Sequence, residues 1–130
     1  MTSPYRVDST RFPIVDITTV GDINLDQLQE HFREYRAILD KNQPFAIVYD
    51  ATKIGSVDAL VRKAYAQFML ENEADFRRLC VGCGFVITSA LVRGALTAVL
   101  WVTGAMPMPH KVFASREDAE GYARTQLAKV

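Results

Sequence analysis

The side chains able to do chemistry in this 130-residue chain are few and scattered. Cys80 and Cys83 form a C-V-G-C pair, and the two histidines are His31 and His110. A structural zinc site needs about four ligands at close spacing, and neither histidine lies near the pair in sequence. A redox-active pair wants its first cysteine at a helix N-terminus, where the dipole lowers the thiol pKa. Here the pair runs into Phe85-Val86-Ile87, which reads as a strand. Residues three apart on a strand point to opposite faces, so two inert, buried thiols are expected, with no metal and no disulfide. His110 follows Pro109 with no Ser, Cys or second His beside it in sequence to build a nucleophile and base. His31 is expected on the polar side of its helix, at the surface. Glu71 and Glu73 lie two apart on a helix and do not face each other. No catalytic residue and no cofactor is assigned, and an enzyme is not expected.

A second group of polar residues falls where apolar runs give way to helical patterns: Asp50, Thr52, Ser56, Thr88, Ser89, Arg93 and Ser115. In a parallel sheet the C-terminal strand ends converge, and helix N-termini aim free N–H groups at the same place. Asp50, Thr52, Ser56, Ser89 and Arg93 are therefore candidate contacts for an anionic ligand or a phosphorylated partner. Ser56, Ser89 and Ser115 are equally the caps that any such fold uses, and Ser56 is expected to cap the second helix. Arg93 sits on a very apolar helix and must reach solvent, a partner or a carboxylate such as Asp50. Tyr49, Tyr65 and Trp101 read as core or dimer contacts rather than stacking platforms.

The elements that position these residues follow from hydrophobic periodicity. Residues 12–18 alternate as a half-buried strand, and residues 5–7 pair with them at an edge that suits Pro13. Gly21-Asp22 reads as a turn. Asn24 and Gln27 have capping-box spacing before a stripe of Leu25, Leu28, Phe32, Tyr35 and Leu39. Phe45-Ala46-Ile47-Val48-Tyr49 is a continuous apolar run, the mark of a strand buried on both faces. A polar turn through Ser56 then leads to one long helix ending near Leu79. After the strand at 85–87, residues 90–102 form a helix apolar on nearly every side. Gly104 and the Pro107-Met108-Pro109 run stop that helix. Leu96, Val99, Leu100 and Trp101 on it are candidate dimer contacts. Lys111-Val112-Phe113 and a helix opened by Ser115 and Asp118 complete the order.

Composition bounds the function. Fifteen basic and fifteen acidic residues cancel, which argues against nucleic-acid binding. With 49% hydrophobic residues and no linker, residues 1–130 read as one globular domain. The apolar segment 79–110 is interrupted by Arg93, glycines and prolines, short of the roughly 20 apolar residues of a spanning helix. The first residues hold no apolar signal region, so a cytoplasmic protein without membrane insertion is expected.

Strand–helix alternation repeated four times implies a mainly parallel α/β sheet. With Gly21-Asp22-Ile23-Asn24, the run from Phe45 to Asp50 and its turn into a helix, and Val112-Phe113-Ala114-Ser115-Arg116-Glu117-Asp118-Ala119, the chain resembles a STAS domain, more closely the SpoIIAA-like relatives of anti-sigma-factor antagonists. The resemblance implies a four-turn strand–helix superhelix, mostly parallel with an antiparallel N-terminal edge strand. It also implies a noncatalytic regulatory or scaffolding role through protein contact. Anti-sigma antagonists carry a phosphorylatable Ser after an Asp at the start of the helix that follows the central strand. Here Asp58 is followed by Ala59, so that switch does not carry over. The alternative is a small-molecule, nucleotide or lipid-binding domain using the strand-end site. The protein partner is not named by the sequence, and a homodimer is one expectation.

Overall fold

Each apolar run that was continuous or alternating in the sequence becomes a strand of one sheet. The computed structural model describes residues 5–89 and 106–130, with Ser56 by its backbone alone. In chain order the elements are β1 (Tyr5–Asp8), β2 (Ile14–Ile23), α1 (Leu25–Leu39), β3 (Phe45–Val57), α2 (Ala59–Glu71), α3 (Glu73–Leu79), β4 (Cys80–Val86), β5 (His110–Phe113) and α4 (Arg116–Leu127). The strands lie in the order β1-β2-β3-β4-β5. From β2 to β5 all pairings are parallel, and β1 runs antiparallel at the edge as expected.

Because the sheet grows in one direction, right-handed crossovers place α1 and the α2–α3 pair on the same face. Their buried residues Leu28, Tyr35, Leu39, Val61 and Phe76 pack on Val15, Ile17, Ile47, Tyr49 and Phe85. The opposite face carries a smaller core, in which Ala119 and Ala123 of α4 meet Ile14, Ala46, Val48 and Val86. The run Phe45-Ala46-Ile47-Val48-Tyr49 is buried throughout, as a central strand covered on both sides must be.

Several local expectations are corrected. Gly21-Asp22 is a bulge rather than a turn: Gly21 has φ +73°, the register with β3 shifts around it, and β2 continues to Ile23. The bulge presses on β3, where a Cβ at Gly55 would stand 2.9 Å from the Gly21 carbonyl carbon, so only glycine fits there. As a result β3 runs through the predicted polar turn to Val57. Ser56 is then a strand residue, and Asp58 caps α2 by accepting from the Val61 N–H at 2.9 Å. The predicted long helix is two helices, because the Asn72 side chain donates to the Phe68 carbonyl at 2.9 Å and ends α2.

Cys80 and Cys83 share one face instead of two. Register moves from Phe45↔Cys80 to Ala46↔Gly82, so Val81 is an extra residue that resets the alternation. Both thiols enter the larger core, where burial raises Cys80 to about 12 and Cys83 well above the ordinary thiol value. The Asn24–Gln27 capping box and the Ser115 cap are present as read. The expected helix at 90–102, with Arg93, Leu96, Val99, Leu100 and Trp101, lies outside the described residues.

Candidate functional site

Alternation along β2 and β3 puts Asp16 and Asp50 on the α4 face, one strand apart. Asp16 is only 6% exposed, so its charge requires partners. Arg11, from the β1–β2 loop, supplies one: its Nη2 lies 3.0 Å from both carboxylate oxygens and its Nε donates to Oδ2 at 3.1 Å. Arg116, the first residue of α4, donates to Asp16 Oδ1 at 2.9 Å and reaches Asp50 Oδ2 at 3.3 Å. Arg11 also pairs with Glu120, one turn into α4, and Glu120 in turn accepts from Arg124 at 3.0 Å. The Thr52 backbone N–H and hydroxyl donate to Asp50 Oδ1 at 3.0 and 2.7 Å.

The network is an alternating chain of carboxylates and guanidinium groups that pins the β1–β2 loop and α4 to the sheet. Burial alone would raise the Asp50 carboxyl. Thr52 and Arg116 outweigh it and hold the group below its ordinary value. Glu120 is lowered chiefly by Arg11, and Arg11 is raised chiefly by Glu120. Three acids and three arginines neutralise one another, so an incoming anion at this strand end would have to displace a carboxylate already in place.

Of the strand-end residues named from sequence, the structure brings Asp50 and Thr52 together. Ser56 lies six residues further along the same strand, roughly 20 Å away at the strand rise, so it does not converge with them. Thr88 and Ser89 follow β4 and are exposed. The carboxylate of Asp50 pairs with Arg116, which in sequence stands out only as part of the run from Val112 to Ala119. Asp16 was legible only as the polar half of an alternating strand. Nothing in its spacing announces that a helix arriving a hundred residues later will cover it.

A second polar place lies on the opposite face, at the seam of α1 and β1. His31, expected at the surface, is 1% exposed. It falls three after Leu28 and four before Tyr35, and the buried stripe is Leu28, His31, Tyr35, Ile38 and Leu39, rotated from the predicted one. Its ring stacks on Tyr5 with centroids 4.0 Å apart and meets the edge of Tyr35 at 4.4 Å. Neither ring nitrogen has a hydrogen-bond partner. Burial lowers its pKa to about 3, so the imidazole is neutral at pH 7.

An uncharacterized protein of the DUF3478 family from Shewanella loihica PV-4, described as having a SpoIIAA-like fold, superposes on this chain with a TM-score of 0.63. The match covers 92% of this chain and 91% of that one, at 14% identity. The fold is SpoIIAA-like. At that identity the likeness carries architecture and not activity. No family model and no curated protein sequence matches the chain. Within the SpoIIAA-like frame, the start of α2 carries Asp58 as the cap and Ala59 as the first helical residue, so no hydroxyl follows the Asp. Among the described residues no helix is long and apolar enough to cross a membrane, and no group of three or more His, Cys, Asp or Glu is placed to hold a metal.

Proposed function

We propose that the chain is a noncatalytic regulatory or scaffolding domain that acts by protein contact. The carrying observation is the β2–β3 ribbon. Pairing with β1 ends at Thr19 and pairing with β4 ends at Asp50, yet β2 and β3 stay paired through Gly21↔Ile54 to Ile23↔Val57. Among the described residues, β2 and β3 thus run on as a two-stranded extension past their pairings with β1 and β4. A strand that outruns its sheet offers a surface on which another chain can dock. Val20 on the ribbon is 50% exposed and Leu60, in the first turn of α2, is 69% exposed, which adds apolar contact beside the edge.

The neutralised strand-end network supports this reading over a nucleotide or phosphate site, because its arginines already hold carboxylates. A homodimer through Leu96, Val99, Leu100 and Trp101 remains a compatible form of protein contact, checked by sedimentation of the full chain.

The test places a photo-crosslinking residue at Leu60, and in a control at Arg124 on α4, in baits exposed to native lysate. A discrete partner crosslinked from position 60 alone, and lost when Val20→Asp is added, supports the reading. Equal capture from both positions, or none, sinks it.

A further inference from the structure

The outer surface of α2 carries two leucines that the fold leaves uncovered: Leu60 is 69% exposed and Leu70 64%. The helix is fastened to the domain by Val61 and Met69, which are buried, and by Phe68, which stacks on Phe32 of α1 at 4.2 Å. At about 100° per residue, Leu60, Lys63, Gln67, Leu70 and Glu71 share an arc of roughly 100° on the side away from that attachment. All five are exposed. Single surface leucines are ordinary, so the leucines alone name no partner. The charges set between them do.

Lys63 stands one turn after Leu60, and Glu71 directly follows Leu70. Glu71 accepts from Gln67 Nε2 at 3.0 Å, and the next acid, Glu73, is held by Arg77 at 2.7 Å. Among the described residues no cation holds Glu71 and no carboxylate holds Lys63. The two are about 12 Å apart along their own helix, too far to pair with each other. At the other end Asp58 is committed to the helix cap, and Arg62 at the rim adds to the basic side. The exposed stripe is therefore basic in its first half and acidic at its end, with a leucine near each end.

Such a stripe is complementary to itself when reversed. We propose that α2 packs antiparallel against α2 of a second copy of this chain, about a two-fold axis near Tyr65. The contact shares Leu60 with the ribbon surface but does not use Val20, and it goes beyond the ribbon reading. Leu60 meets Leu70 of the partner subunit, and Lys63 meets Gln67 of the partner subunit, each contact occurring twice.

Side chains on a helix lean toward its N-terminus. In opposed helices Lys63 therefore leans toward Glu71 of the partner subunit, and that carboxylate leans back toward Lys63. The two lysines diverge by the same geometry. A parallel alignment would set Lys63 on its own copy and Glu71 on its own copy, so the charges select the two-fold arrangement. An isologous contact of this kind closes at two copies.

The experiment is sedimentation equilibrium of the purified full chain at low salt. Wild type should dimerise, and Lys63→Glu or Glu71→Lys alone should weaken the dimer about tenfold, since each reversal turns two exposed attractions into repulsions. An equimolar mixture of the two variants should recover wild-type affinity, because each variant chain complements the other. Leu70→Asp, at the end of α2 remote from the ribbon, should abolish the dimer. Val20→Asp should leave it intact, so that the ribbon contact and this one fail separately. All of these positions are exposed, so the variants keep the fold. Overturning results are a wild-type monomer at high micromolar concentration, a dimer indifferent to the single reversals, a mixture no tighter than its components, or a dimer lost in Val20→Asp.

Discussion

Acidification should unfold this protein through His31 over a definite pH window. The folded-state pKa is about 3, against an ordinary value of 6.5, because the buried ring has no group to stabilise a second proton. A depressed folded pKa means that the unfolded chain binds the proton and the folded one does not. The contribution is therefore fully present above about pH 6.5 and is lost as pH falls toward 3. Linkage gives about 2 kcal/mol lost between pH 7 and pH 5, and about 5 kcal/mol by the end of the window. Urea unfolding of wild type and His31→Phe at pH 7, 6 and 5 isolates the effect, because other titrating groups cancel in the difference. Phenylalanine keeps a ring between Tyr5 and Tyr35 but cannot take the proton. The expected result is that His31→Phe gains about 2 kcal/mol on wild type between pH 7 and pH 5 at constant m-value. Parallel stability curves would refute the reasoning, since they would mean that His31 finds a partner for its proton inside the fold.

Four other outcomes are expected. Asp58→Ala, which removes the α2 cap, should cost about 1 kcal/mol in denaturant unfolding. Gly84→Val should prevent stable folding, visible as lost near-UV dichroism, because even a Cβ there would stand 3.0 Å from the Ala119 Cβ and carbonyl oxygen. Asp16→Ala should destabilise by about 2–3 kcal/mol and Arg11→Ala by less, because the acid is buried between two half-exposed arginines and Arg116 remains when Arg11 is removed. Cys80 and Cys83 should resist a thiol reagent at pH 8 in native buffer and react on unfolding, since burial raises both thiols far above that pH.

Most of the architecture was legible in the chain, for a physical reason. Whether a segment becomes a helix or a strand depends on the spacing of apolar residues, and that spacing is local. The capping box at Asn24, the Ser115 cap, the doubly buried run from Phe45 and the edge position of β1 all follow from neighbours within a few residues. Alternation of strands and helices then dictates a parallel sheet, and the SpoIIAA-like topology follows from right-handed crossovers. The absence of a serine after Asp58 is likewise a matter of local sequence.

Tertiary packing decided the rest. Gly21 was a turn by composition, and only its neighbour across the ladder, Gly55, lets it be a bulge that carries β2 and β3 onward into the ribbon. One extra residue at Val81 turned two cysteines from opposite faces to the same face, and a period-two rule cannot anticipate that slip. His31 looked polar on a helical wheel whose rotation is set by what α1 rests on, and that is Tyr5, on another element. The ionic network unites Arg11, Asp16, Asp50, Arg116 and Glu120 across more than a hundred residues of chain. Apart from Asp50, a strand-end candidate, none of those charges stood out by its spacing in sequence. Their pairing is fixed by where α4 lands on the sheet, because an ion pair depends on distance in space and hydrophobic periodicity records only distance along the chain.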